Sequence, residues 1–477
     1  PQRFANRHSD YAASRSLLQS KTMVTIPAHG SGISSKSANE LQRIHHSASN
    51  IRRLRLALVT MAASLKRLVS FPQWQRNFMR TSLLVVAGLL AVTTQVAAQE
   101  PLVAQYLYTG KLARGEQVME SALAVNPTDD QLRLGLALLQ LTRSFERLGQ
   151  SLYQYGCHSL NGGAPLMDLP LPANPDPSAI TYADLCRMLD VFYSDVANAE
   201  LTLSEIKSDD VRLRLRMADI RLNLVGREDT SERYRDILQK SLGPKFSFPR
   251  DNAELEACFD RGDVAALRAY CHLLMGLIDI IRAYDMEENF SLWAEQQFAK
   301  PKNPSTLTAE ERRKRQDDLW KVIKIAEPAR LGHFRRHVIQ FCELSRESWG
   351  FIRRETDDDH EWLPNPRQTG VLGIRTTDEF IDSWLTTLSE VESLYEGRKG
   401  IPASLIQIVS PPTSRRMNLK TWLDNPPDSI DWERIRSEGV RERYLDDSLK
   451  DVDIMAVVKG AMAFHNMLTI GFAAWFR

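Results

Sequence analysis

The chain has 477 residues, 43% of them hydrophobic, and its 61 Lys and Arg against 60 Asp and Glu give a formal net charge of +1. This length exceeds what a single core normally holds, so two or three subdomains are expected. The five cysteines include no C-x-x-C pair, which argues against structural zinc, thioredoxin-type chemistry and a disulfide framework, although one disulfide stays open. Common nucleotide-binding and hydrolase motifs are missing too, so a protein without an evident catalytic motif is favoured.

Residues 1–78 are basic and poor in acids, with twelve Lys or Arg against Asp10 and Glu40. They are rich in Ser, Arg and Ala and show no sustained apolar period. Transit peptides share this composition, and so does translated non-coding DNA. A nucleic-acid-binding arm is a third interpretation, but no aromatic platform accompanies the basic run. We expect a disordered or mis-annotated extension with translation starting at Met79, the alternative being a long, atypical leader.

Residues 79–98 have the layout of a secretory signal peptide, with Arg80 before an apolar run at 83–92 and small residues at 96–98. The apolar run of ten residues is shorter than the roughly 20 that cross a bilayer as a helix. A cleaved signal is therefore favoured over an uncleaved anchor or a buried core helix. Residues 1–98 hold thirteen basic and two acidic residues, so 48 and 58 remain after cleavage, a formal charge of −10. We expect a secreted or periplasmic protein with no nucleic-acid partner and no stable membrane span.

Residues 99–165 contain small and large side chains at offsets typical of paired antiparallel helices. The pattern is carried by Tyr106, Gly110, Gly115, Met119, Ala122 and Pro127, and more weakly by Ala137, Gly149 and Tyr153. The stretch 102–155 resembles a tetratricopeptide repeat, with Gly115 where the family usually has Ala, Met119 where it has Phe, and no Trp at the first signature position. The resemblance implies helical hairpins whose concave face binds a protein or peptide partner, with Tyr106, Leu136 and Gln140 as candidate contacts. No third copy follows, so the unit must pack against the rest of the chain.

The remaining sequence is mostly helical in its periodicity. Proline-rich stretches at 170–177, 301–304 and 425–427 predict joints, which leaves a helical subdomain at 178–300 and a second one with minor β at 305–477. Capping boxes predict helix starts at Thr128 with Gln131, Thr308 with Glu311, and Thr376 with Glu379. Only 371–376 and 404–409 favour strands. The apolar run 454–476 is interrupted by polar residues, which favours a buried terminal helix over a membrane contact.

One helix stands out, with Asp263 as its predicted N-cap and an apolar face that continues to Tyr284. Arg268, His272 and Asp279 gather on its other side. His272 lies one turn from Arg268 and two turns from Asp279. This placement indicates a hydrogen-bonded structural histidine in preference to a functional one.

Two stretches could carry chemistry. His333 and His337 are four residues apart on a predicted helix, as in H-E-x-x-H metalloproteases. However, Arg335 and Arg336 occupy the middle of this motif, the glutamate base is absent, and the two guanidinium groups oppose a dication. An exposed helix face is therefore favoured over a metal site.

The second stretch, 355–370, contains five acidic or histidine residues in a row, Asp357, Asp358, Asp359, His360 and Glu361. Hard cations favour clustered carboxylates, but no EF-hand spacing orders these. A solvated helix end is the plain interpretation, and a partner or ion contact through Asp357, Asp359 and His360 is the binding hypothesis. If the His337 helix folds back on this loop, His337 and Asp359 share a site.

The sequence thus predicts a mainly α protein, with a tetratricopeptide-like N-terminal part packed on a larger helical region with little β. The preferred function is an exported binding or scaffolding protein with a protein or peptide partner and no cofactor. The alternative is a hydrolase that holds a divalent metal with His333, His337, Asp357 and Asp359. A third hypothesis is a helical globule from a lineage-restricted family. The oligomeric state stays open.

Overall fold

A computed structural model describes residues 100–158, 169–242, 255–318, 321–371, 375–406, 415–460 and 462. All of them belong to one compact unit. The predicted extension 1–78, the signal peptide 79–98 and most of the apolar run 454–476 lie outside the described residues. Within the described part the fold is mainly helical with little β, as the sequence predicts.

The chain begins with three packed helices, α1 (Leu102–Thr109), α2 (Leu112–Val125) and α3 (Asp130–Gln154). Gly110 ends α1 in the left-handed region, with φ of +67°, where glycine is strongly favoured. A Cβ on Gly115 would lie 2.5 Å from Leu139 and 2.6 Å from Tyr106. Gly110 therefore ends a helix, and Gly115 permits close packing of the three helices.

The later helices form most of the rest of the described chain. They are α4 (Tyr182–Ser204), α5 (Tyr234–Leu242), α6 (Arg261–Ala283), α7 (Glu287–Gln297), α8 (Ala309–Asp318), α9 (Pro328–Ile352), α10 (Asp378–Tyr395), α11 (Leu419–Asp424) and α12 (Trp432–Glu438).

Helix starts follow the strongest local acceptor, and three predicted starts are shifted. Asp129, not Thr128, caps α3 by accepting the amide of Leu132 at 2.8 Å. Asp260, not Asp263, caps α6, and Asp263 takes the N3 position of the resulting capping box. Helix α10 is capped by the residue after the predicted one, at 377. Each cap lies one to three residues from its prediction because several Asp or Thr residues compete locally.

The start of α8 is confirmed. The Thr308 amide donates to Glu311 Oε2 at 2.7 Å, and the Glu311 amide donates to Thr308 Oγ1 at 3.3 Å. These reciprocal bonds are the predicted capping box.

Short strands pair in four small sheets within the described residues. The two-stranded sheets join β1 (Leu213–Arg216) to β4 (Glu256–Phe259), β2 (Arg221–Leu222) to β3 (Glu232–Arg233), and β5 (Val322–Lys324) to β8 (Ser429–Asp431). A four-stranded sheet has the order β10 (Lys450–Asp451), β6 (Lys399–Pro402), β7 (Arg416–Met417), β9 (Leu445–Asp446). The predicted strand at 404–409 begins in a 3-10 turn, Ala403–Leu405, and its last three residues lie outside the described part. The described residues of 371–376 form no strand either.

Helix α6 is central to the packing, with α9 and α4 against it. Its length and mean hydropathy of 1.7 would allow it to cross a membrane, but 61% of that apolar window is buried inside the fold. Most of this apolar window therefore packs against the rest of the fold. The largest apolar cluster includes buried residues from α1, α3, α4 and α6 together. The division into three subdomains stays a prediction.

Candidate functional site

The face of α3 predicted to bind a partner is covered by α4. Leu136 is only 4% exposed and belongs to the largest apolar cluster. Gln140 Oε1 accepts a hydrogen bond from the Thr202 hydroxyl of α4 at 2.7 Å, and Tyr106 packs beside Gly115. Gln140 therefore serves the α3–α4 contact and Leu136 lies in the core, while the binding of a partner stays a prediction.

Asp357 and Asp359 are paired with arginines next to or within β1. Asp357 lies 2.8 Å from Arg212, and Asp359 lies 2.7 Å from Arg214. His360 is exposed and has a positive φ of 63°. The arginines neutralise the two carboxylates, so the charge available to a cation there is lower than the sequence indicates.

His333 and His337 do not meet this acidic stretch. His333 is exposed on α9, whereas His337 points towards α4 and α6. From His337 to the last residue of α9, Ile352, the helix rises by about 22 Å, and the acidic loop follows beyond that end. The site shared by His337 and Asp359, and with it the predicted ligand set His333, His337, Asp357 and Asp359, is therefore wrong.

A different carboxylate group forms where the loop after α9 reaches the first turn of α6. We call Asp260, Glu355 and Glu361 the carboxylate cluster, because one oxygen from each lies within 4.8 Å of the others. The Gln368 amide donates to Glu355 Oε2 at 3.3 Å, while Glu355 Oε1 is buried and has no hydrogen-bond partner in the described residues. The sequence singled out Glu361 within the stretch that begins at Glu355, whereas Asp260 lies in a distant segment.

Burial dominates the electrostatics of this cluster. Desolvation, followed by the charge of Asp260, raises the pKa of Glu355 to about 8 and that of Glu361 to about 7. The adjacent Asp263, also buried, has its pKa raised well above its ordinary value by the same causes. Such carboxyls either share protons or hold a cation.

A histidine pair lies between α4, α6 and α9. His272 Nδ1 and His337 Nδ1 are 2.8 Å apart, and the Tyr193 hydroxyl lies 3.0 Å from His337 Nε2. Glu200 Oε1 is 3.6 Å from His272 Nε2. The prediction that His272 is a hydrogen-bonded histidine is confirmed. Its partner, 65 residues away in the chain, was missed because only the α6–α9 packing brings the two rings together.

A cleft of about 680 Å³ opens between the first turn of α4, helix α7 and the segment 301–307. Its walls include the rings of Tyr182 and Phe290, with centroids 5.6 Å apart, and the polar side chains of Thr181, Ser291 and Asn303. The sequence pointed to 301–304 only as a joint, so the cleft was not predicted.

Comparisons with protein families, with characterised proteins and with solved structures find no match to this chain.

Proposed function

We propose that this is an exported binding protein and that the cleft between α4, α7 and segment 301–307 receives an extended peptide segment that carries a basic residue. The observation that supports the proposal is the cleft itself, with a volume of about 680 Å³. Hydroxyl and amide side chains in its walls suit the hydrogen-bonding groups of a peptide backbone, and the two aromatic rings suit an apolar side chain.

The walls of the cleft are held in place by contacts that do not involve the interior. The amide of Ile180 donates to Lys300 O, and the amide of Lys302 donates to Ile180 O, both at 3.0 Å. Arg312 donates to Leu307 O at 2.9 Å and to Ser305 O at 3.0 Å. A cleft fixed in this way loses little conformational entropy when a ligand enters.

The charge at the cleft favours a basic ligand. Glu287 and Glu288 line it and are exposed. Glu288 pairs with Lys324 at 2.8 Å and with Arg315, a cation that also lines the cleft, at 3.4 Å, whereas Glu287 makes no ion pair within the described residues. The Glu287 carboxylate is therefore the one available to a lysine or arginine of the ligand.

A random peptide library selected against the full chain tests this charge preference. We expect the selected peptides to be enriched in Lys or Arg, and Glu287→Lys to weaken their binding at least tenfold, because a like charge replaces the attractive one. Glu310→Lys on α8, also exposed and outside the cleft, serves as the control and should leave the affinity unchanged. Peptides without basic residues, or equal losses in both variants, would contradict the proposal.

A metal-dependent hydrolase stays the second candidate, now with the carboxylate cluster as the ligand group and without the histidines. The observation in its favour is the convergence of three carboxylate oxygens within 4.8 Å beside the unpaired Glu355 Oε1. The metal content of the purified chain tests it, with Glu361→Gln as the variant and Asp358→Asn as the control. This candidate is supported if the unmodified chain and Asp358→Asn hold stoichiometric metal and Glu361→Gln does not. It is excluded if the unmodified chain holds no metal.

A further inference from the structure

Helices α6 and α9 approach each other closely at the histidine pair. A Cβ on Gly276, one turn after His272, would lie 3.2 Å from the Cβ of His337. The two imidazole centroids are 5.1 Å apart, and the side chains of His272 and His337 are 13% and 14% exposed. The rings therefore meet in a largely buried space whose width is set by the two backbones.

The contact between the rings limits how many protons the pair can hold. Because two Nδ1 atoms face each other at 2.8 Å, one must donate and the other must accept. A neutral or singly protonated pair satisfies this condition. When both rings are protonated, two N–H groups and two positive charges point at each other, and the hydrogen bond is lost.

The two rings have different charged neighbours. Glu200, held by Arg268 at 2.9 Å, lies beside His272 Nε2. His337 has Tyr193 of α4 and Asp279 of α6 near Nε2, with its own helix contributing the positive groups Arg330, His333 and Arg336. Burial, then the charges of His272, His333 and Arg336, lower the pKa of His337 to about 4.

A second acceptor is available to His337 once it is charged. Asp279 is fully buried, with Oδ1 bonded to Arg330 at 3.0 Å. Its Oδ2 has no hydrogen-bond partner in the described residues and lies 3.6 Å from His337 Nε2. When both rings are protonated, His337 can therefore lose the Nδ1 contact with His272 and donate from Nε2 to Asp279.

We propose that His272 and His337 form a proton-operated switch between α6 and α9. When the pair carries at most one extra proton, the two rings stay hydrogen-bonded. A second proton moves His337 from His272 to Asp279 and loosens the contact between α6 and α9. Because His337 resists protonation in the folded state, the native contact is favoured above the ordinary histidine pKa near 6.5 and is lost as the pH falls towards 4.

Hydrogen exchange of the full chain tests the switch. Between pH 7 and pH 4 we expect the protection factors of amides at 331–345 in α9 to fall at least tenfold, after correction for the intrinsic exchange rate. His337→Gln keeps a polar side chain that does not titrate, and its protection should change less than twofold. His333→Gln, an exposed histidine on the same helix, should behave as the unmodified chain does.

An equal fall in His337→Gln and in the unmodified chain would overturn the proposal. The ring-nitrogen ¹⁵N shifts of the unmodified chain give an independent readout if the variant fails to fold. Imidazolium at His337 should appear at the pH at which α9 loses protection. A fully protonated pair with α9 still protected would also overturn the switch.

Discussion

Gly115 shows how a single missing side chain allows three helices to meet. It lies on α2, between Tyr106 of α1 and Leu139 of α3. A Cβ at this point would lie closer to both neighbours than carbon atoms approach in folded proteins. The packing of the N-terminal helices therefore depends on a glycine within a helix, although glycine is a poor helix former.

We predict that Gly115→Ala lowers the free energy of unfolding by about 1–3 kcal/mol, the usual cost of overpacking. Gly350→Ala on α9 is the matched control, because nothing lies within 4 Å of its added Cβ. There the better helix propensity of alanine should stabilise by up to about 1 kcal/mol. Denaturant unfolding at pH 7 measures both, and a neutral Gly115→Ala would show that the three helices are not packed as described.

The carboxylate cluster makes a prediction about pH. Glu355 has a folded-state pKa of about 8 against an ordinary 4.5, so its protonated form is the one that the fold favours. Its contribution to stability is present below the ordinary pKa and is lost as the pH rises through about 8.

Glu355→Gln mimics the protonated form and should stabilise the protein by about 1–3 kcal/mol at pH 8 with little effect at pH 5. Unfolding curves at the two pH values check this, with Glu343→Gln, exposed on α9, as the control. A variant that destabilises equally at both pH values would show that the Glu355 carboxylate is charged and paired.

At the scale of elements, the start of a helix shows which of two neighbouring residues acts as its N-cap. Thr128 and Asp129 are both good caps, and α3 uses Asp129. We predict that Asp129→Ala costs about 1 kcal/mol of stability, within the usual range for a lost N-cap, and that Thr128→Ala costs almost nothing. Equilibrium unfolding of the two variants decides between them, and the reverse order would restore the capping box predicted from the sequence.

Local sequence patterns predicted the helices well, but they could not predict contacts between residues that are far apart in the chain. Gly110 and the Thr308 box act through neighbours within four residues, so their roles are visible in the sequence. The contact of His272 with His337 joins residues 65 apart, and Arg214 and Asp359 are 145 apart. Only the packing of α6, α9 and β1 creates these pairs. The fold class predicted from the sequence is therefore confirmed, whereas the candidate site in the structure involves other residues.

At the scale of the whole molecule, the proposal of export makes a prediction about processing. A chain that starts at Met79, expressed in a bacterial host, should be exported and begin at Gln99, because residues 96–98 fit a signal-peptidase site. Ala98→Arg should abolish cleavage and leave a longer product. N-terminal sequencing identifies the first residue of each product. If the chain without the substitution stays uncleaved in the cytoplasm, the signal peptide is contradicted.

Binding in the cleft is the central claim, and filling the cleft tests it most directly. Ala183 lines the cleft near the start of α4, whereas Ser194 lies on the same helix outside it, and both are exposed. The measurement is the Kd of a library-selected peptide for the unmodified chain, for Ala183→Trp and for Ser194→Trp. The account predicts at least tenfold weaker binding to Ala183→Trp and an unchanged Kd for Ser194→Trp. Equal affinity for all three chains would contradict it.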